Sequence, residues 1–89
     1  MGDMQQTQDQ AGGVAVTELD ATGLKCPTPV LRANRIMRSV APGGLLRVRA
    51  TDPAARQDFP AYCQTTGHTL EAVEAEGEGW VFLLRKKSA

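Results

Sequence analysis

Five apolar residues, Val30, Ala33, Ile36, Met37 and Val40, recur at three- and four-residue steps. That spacing predicts one buried stripe on a helix running from about Pro27 to Val40, with Arg32, Arg35 and Arg38 on the outward side. "APGG" (41–44) stops the helix, and the period then drops to two. In "LLRVRAT" (45–51), Leu46, Val48 and Ala50 face one way and Arg47 and Arg49 the other, as in a strand with one wet face. A short strand, "VAVTEL" (14–19), precedes the helix, and Asp20 to Gly23 turn the chain between them.

The stretch "DPAARQDFPAYCQTTG" (52–67) reads as a second helix closed by Gly67, with Phe59, Tyr62, Cys63 and Thr66 sharing a face. Asp52 or Asp58 would cap it. Pro60 favours Asp58, because proline is tolerated in a first turn and costs roughly 3 kcal/mol in an interior. "HTLEAVEAE" and "WVFLLRKK" then form two strands around a tight "GEG" turn, with Trp80, Phe82 and Leu84 as a core stripe. The order is β-α-β-α-β-β. With a right-handed parallel first crossover, this predicts an α+β, two-layer α/β sandwich: a four-stranded mixed sheet with two helices on one face.

Composition narrows the function classes. The chain of 89 residues suits one small domain without an internal ligand cavity. Residues 1–13, polar, Gln-rich and closed by Gly12-Gly13, read as a disordered tail before a domain spanning 14–89. Formal charge is zero, which argues against global attraction to nucleic acid or acidic membranes. Locally the balance is uneven: six basic residues and no acid over 25–49 give +6, whereas six acids and Arg56 over 52–78 give −5. No apolar run is long enough to span a membrane, no secretory signal opens the chain, and Gln6 stands where a myristoylation site wants Ser or Thr. Two cysteines make no disulfide scaffold and match no zinc spacing, so the expectation is a cytoplasmic protein with reduced thiols, no cofactor and no metal.

The candidate chemistry lies in "GLKCPTPV" (23–30), where a cysteine precedes two prolines at the mouth of the first helix. A residue before proline is pushed out of the α region, so Cys26 is expected at the N-cap, Pro27 at N1 and Pro29 at N3. The helix dipole and Lys25 would then favour the thiolate, and the prolines would stiffen the turn and present the sulfur at the rim. Neither a histidine, a carboxylate nor a second thiol adjoins it in sequence, and Cys-Pro-Thr-Pro lacks the resolving partner of a dithiol exchanger. The bland alternative is a buried structural cysteine.

Other residues carry weaker signals. Cys63, on the face with Phe59 and Tyr62, reads as core, with a resolving or secondary acceptor role as the alternative. His68 reads as a cap or strand start, and Cys26, Cys63 and His68 lack the spacing of a metal site. Arg32, Arg35 and Arg38 are either a solvated face or a docking surface for an acidic partner. A binding module touching RNA phosphates through Arg47 and Arg49 is a second function class, weakened by the absence of a stacking pair. A regulatory partner protein without sulfur chemistry is a third.

"LDATGLKCPTPVLR", followed by "PGGLLRVRATDPAARQDFPAYCQTTGH", resembles the TusA/SirA family of small sulfur carriers over roughly residues 17–86. The match rests on Gly23-Leu24, Cys26-Pro27-Thr28-Pro29, Gly43 or Gly44, Asp52-Pro53, Asp58, Pro60 and Gly67-His68. Thr28 departs from members that carry an acidic residue there. The resemblance implies that Cys26 takes sulfane sulfur as a persulfide from a cysteine desulfurase or rhodanese-like donor and passes it to an acceptor protein. It also implies that Gly23, Leu24, Lys25, Pro27, Thr28 and Pro29 support the motif. Family destinations include transfer RNA 2-thiolation, molybdenum cofactor supply and cytoplasmic sulfur oxidation. A carrier that docks serially is expected to be a monomer without direct nucleic-acid contact.

Overall fold

The structure, a computed structural model, describes residues 16–88; the expected tail over 1–13 and the first residues of the expected strand lie outside them. The elements follow in the order β1 (Val16–Ala21), α1 (Thr28–Met37), β2 (Leu45–Ala50), α2 (Ala55–Thr66), β3 (Thr69–Glu76) and β4 (Gly79–Arg85). They build one mixed sheet of order β1-β2-β4-β3, in which β1 and β2 run parallel and the β2–β4 and β4–β3 pairs run antiparallel. The expected α+β architecture is thus observed.

Alternation in the strands decides which face is covered. Leu46, Val48, Phe82 and Leu84 are fully buried under the helices, joined by Ala33 and Met37 from α1 and Phe59 and Cys63 from α2. The Phe59 and Phe82 rings stack at 4.8 Å between centroids, a geometry worth about 0.5–1.5 kcal/mol beyond the area buried. On the other face, Arg47 pairs with Glu18, Arg49 with Glu76 at 3.0 Å, and Arg85 with Glu71 at 2.7 Å.

Three of the boundaries that differ from the periodicity have a visible cause. β1 runs on through Asp20 and Ala21, because both continue the parallel register opposite Arg49 and Ala50. α1 ends at Met37 rather than Val40, although Val40 is still buried. The chain beyond Met37 tightens into single turns, Ser39 N–H to the Ile36 carbonyl at 2.8 Å and Val40 N–H to the Met37 carbonyl at 3.1 Å. Lys86 Nζ donates to the carbonyls of Met37 (2.7 Å) and Val40 (3.0 Å), so a residue beyond the last strand closes the helix end.

The third difference is the start of α2, which Asp58 does not cap. Asp52 accepts from Ala54 N–H through Oδ1 at 3.0 Å and from Ala55 N–H through its carbonyl at 2.9 Å, so the helix begins earlier. Pro60 consequently lies inside α2, where it removes the amide that would bond the Arg56 carbonyl. At the far end Gly67, at φ 92°, takes the left-handed conformation that stops the helix, and its N–H donates to the Cys63 carbonyl at 2.9 Å.

Candidate functional site

The turn carrying Cys26 is fixed by three backbone contacts. Gly23, at φ 82°, reverses the chain after β1 and its N–H donates to Thr51 Oγ1 at 2.9 Å. Thr28 N–H donates to the Lys25 carbonyl at 2.9 Å, closing a reverse turn through Cys26 and Pro27 whose shared peptide bond is cis. Cys26 N–H donates to Asp52 Oδ2 at 2.9 Å, so the two oxygens of one carboxylate hold this turn and the start of α2.

The N-cap of α1 is Pro27 rather than Cys26, and Pro29 falls at the second helical position rather than the third. Both prolines therefore occupy places where the helix needs no donor. The Pro27 carbonyl accepts the first helical bond, from Leu31 N–H at 3.0 Å. Pro29 is buried, Leu24 and Cys26 are partly buried against the core, and Lys25 is exposed.

The electrostatics reverse the sequence expectation. Burial pushes the Cys26 thiol up from 9.0 to about 11, helped by the Asp58 carboxylate and by the negative charge of Asp52. A helix dipole contributes about 0.3–1 kcal/mol, less than a tenfold change in ionisation. A thiol displaced one residue beyond the cap and faced by two carboxylates stays protonated. Asp52 itself is held below the ordinary carboxylate value by its bonds from the Ala54 and Cys26 amides, with Lys25 contributing less.

Linear spacing gave no sign that Asp52 and Asp58 adjoin Cys26. Topology carries that signal. Ala21 and Ala50 are register partners at the ends of parallel strands, so the loop after β1 must lie against the loop after β2, where Asp52 begins the approach to α2.

Two clefts flank α1. One, of about 350 Å³, lies between α1 and α2 and is lined by Pro27, Val30, Asp58, Ala61, Tyr62 and Thr65. Tyr62 holds its rim by donating to Asn34 Oδ1 at 3.1 Å. The other, of about 410 Å³, is lined by Leu19, Leu31, Arg32, Arg35 and Ile36, and Leu31 there is 62% exposed. Arg32, Arg35 and Arg38 are exposed and pair with no acid among the described residues, whereas Arg47 and Arg49 are engaged by Glu18 and Glu76.

Cys63 is buried on α2, and burial alone pushes its thiol up to about 11. Both cysteines are free. His68 lies just before β3, its Nδ1 accepting from Lys87 N–H at 3.1 Å; desolvation and Lys87 hold its pKa below the ordinary value. Among the described residues no group of three or more His, Cys, Asp or Glu side chains is placed to hold a metal ion, and no helix is long and apolar enough to cross a membrane.

The profile of the family described as Sulfurtransferase TusA matches residues 17–86. The chain belongs to the TusA family. Sulfur carrier protein TusA of Pseudomonas paraeruginosa is 47% identical over 70 residues, covering 79% of this chain and 89% of that protein. Its counterpart in Pseudomonas syringae pv. syringae is 48% identical over 71 residues, covering 80% and 84%. The crystal structure of a SirA-like protein from Desulfitobacterium hafniense superposes with a TM-score of 0.70 at 23% identity, over 81% of this chain and 97% of that one, a likeness of fold.

Proposed function

We propose that this chain is a sulfur carrier whose Cys26 accepts sulfane sulfur as a persulfide from a cysteine desulfurase or rhodanese-like donor and relays it to an acceptor protein. The observation that carries the reading is the contrast in placement of the two thiols. Cys26 stands in a braced turn beside an open cleft, and Cys63 is sealed in the core. The exposed arginines of α1, with Leu31 and Ile36, suit a partner surface that is acidic around an apolar patch. Gly23, Leu24, Lys25, Pro27, Thr28 and Pro29 serve as the frame of the turn. The relay works in the cytoplasm, as a monomer that docks on one partner after another. Transfer RNA 2-thiolation, molybdenum cofactor supply and sulfur oxidation are the destinations the family offers.

Loading is a thiol exchange in which atoms balance. Cys26 sulfur bonds to the terminal sulfur of the donor persulfide, the donor's own S–S bond breaks, and the departing donor sulfur takes up the proton that Cys26 gives away. Incubation with a cysteine desulfurase and cysteine, followed by intact mass measurement, is expected to add sulfur to the wild type and nothing to Cys26→Ser. An adduct retained on Cys26→Ser refutes the assignment.

A further inference from the structure

The sheet ends at β1 on one side and at β3 on the other, so each has one edge that bonds to no strand among the described residues. The two edges are built differently. β3 breaks its register between Leu70 and Ala72 and carries Glu71, Glu74 and Glu76 along its eight residues. A bulge and a row of like charges turn an added strand away. β1 keeps an unbroken register with β2 from Val16 to Ala21 and contains no proline. Its Glu18 is engaged by Arg47 and Arg49 from the neighbouring strand. Alternate backbone groups of β1 bond β2, and those between them aim outward.

One flank of α1 lies over this edge. Asn34 is turned toward α2, where it accepts from Tyr62, and Val30 lines the cleft between the helices. At about 3.6 residues per turn, Arg32 and Ile36 fall on the opposite flank. There they line a groove of about 410 Å³ with Arg35, the exposed Leu31, and Leu19 of β1. Leu19 pairs in register with the buried Val48, so it belongs to the face of the sheet that the helices cover. A strand laid along the free edge of β1 would continue that face, and every second side chain would enter the groove. Arg32 and Arg35, with Arg38 beyond them, pair with no acid among the described residues.

We propose that the β1 edge and this groove form one docking site, which takes an extended segment of a partner protein as a fifth strand beside the four present. Alternate side chains of that segment are acidic and apolar, the acids meeting Arg32 and Arg35 and the apolar group resting on Leu19 and Leu31. Charge selects the occupant. The acidic β3 of a second copy fits poorly, because its register is broken and Glu71 and Glu76 are engaged by Arg85 and Arg49. The partner's identity as a sulfur donor or acceptor rests on the carrier reading, whereas the surface is testable without sulfur.

The probe is a blocked peptide of about nine residues, alternating threonine with glutamate or leucine in turn. Its control is the same peptide N-methylated at every amide, which keeps the side chains and removes the backbone donors. Amide exchange is followed by NMR on the full chain. In the free protein the outward amides within Val16–Ala21 are expected to exchange quickly. Peptide filling about nine-tenths of the sites is expected to slow them about tenfold, and the N-methylated peptide to leave them unchanged. Reversing Arg32 and Arg35 to Glu is expected to weaken the peptide about tenfold, with circular dichroism checking the fold. Millimolar peptide that protects no β1 amide overturns the added strand, even where it shifts the Leu31 and Arg35 signals. Unchanged affinity in the arginine variant overturns the acidic partner. Outward amides protected without peptide overturn it as well: protection that grows with protein concentration puts a second copy on the edge, and constant protection puts this chain's own segment there. A chain that binds the peptide yet takes no sulfur from a cysteine desulfurase refutes the carrier reading and leaves the docking site standing.

Discussion

Cys26 and Cys63 are both held protonated, each thiol pushed up to about 11, and yet they differ in what sustains that value. Around Cys63 the cause is burial alone: it is 5% exposed on the face of α2 that carries Phe59, and only opening the core returns it to water. Around Cys26 burial is also the first cause, but the carboxylates of Asp58, on the rim of the open cleft, and Asp52 add to it. One thiol is inert by enclosure, the other by partial burial with two carboxylates nearby. The second condition lies at the surface and the first in the core, so equal proton affinities arise from different surroundings.

The comparison breaks most visibly under alkylation. In the native protein Cys63 is expected to react with iodoacetamide on the order of 10³-fold more slowly than Cys26, since a domain stable by about 5 kcal/mol rarely opens. In concentrated urea the difference should vanish, and peptide mapping of the labelled sites reads both. The Cys26 rate should keep climbing with pH past 9 toward about 11. Because both thiols rise on folding, the unfolded chain loses its thiol protons first. Stability is therefore full below about pH 9 and declines as pH approaches 11, measurable by urea titration.

A second test separates access from ionisation. Reversing Arg35 and Arg38 to Glu is expected to slow desulfurase loading about tenfold at low salt while leaving labelling of both cysteines unchanged. Equal loading removes the α1 face from docking. The smallest effect concerns the brace. Asp52→Ala deletes the acceptors of the Cys26 and Ala54 amides, at a cost of about 1–2 kcal/mol. The melting temperature should fall by about 4–8 °C per kcal/mol in a domain of this size. Cys26 labelling should quicken severalfold, with Cys63 unaffected until the protein melts.

Most of the fold was legible because burial follows period. Leu46, Val48 and Ala50 announced the inner face of β2, and Ala33 and Met37 the inner stripe of α1. The helix starts were read less well, because local rules compete there. Proline preference argued for Asp58 as a cap, but the helix starts at Ala55, just after a turn in which Asp52 accepts the Ala54 amide, and Phe59, next to Pro60, stacks on Phe82 in the core. Cys26 was legible from its motif, while its ionisation was not. Partial burial sets it first, the carboxylates that add to it come from residues 52 and 58, brought across by the parallel pairing of β1 and β2, and a helix dipole weighed alone pointed the wrong way.

The Asp52 carboxylate, bonded on one side to the Cys26 amide and on the other to the Ala54 amide, welds two distant stretches of chain into one part. Transplanting the tetrapeptide Cys26-Pro27-Thr28-Pro29 onto another helix would therefore move the letters without the behaviour. A working graft has to bring the segment from Thr51 to Tyr62 along with it.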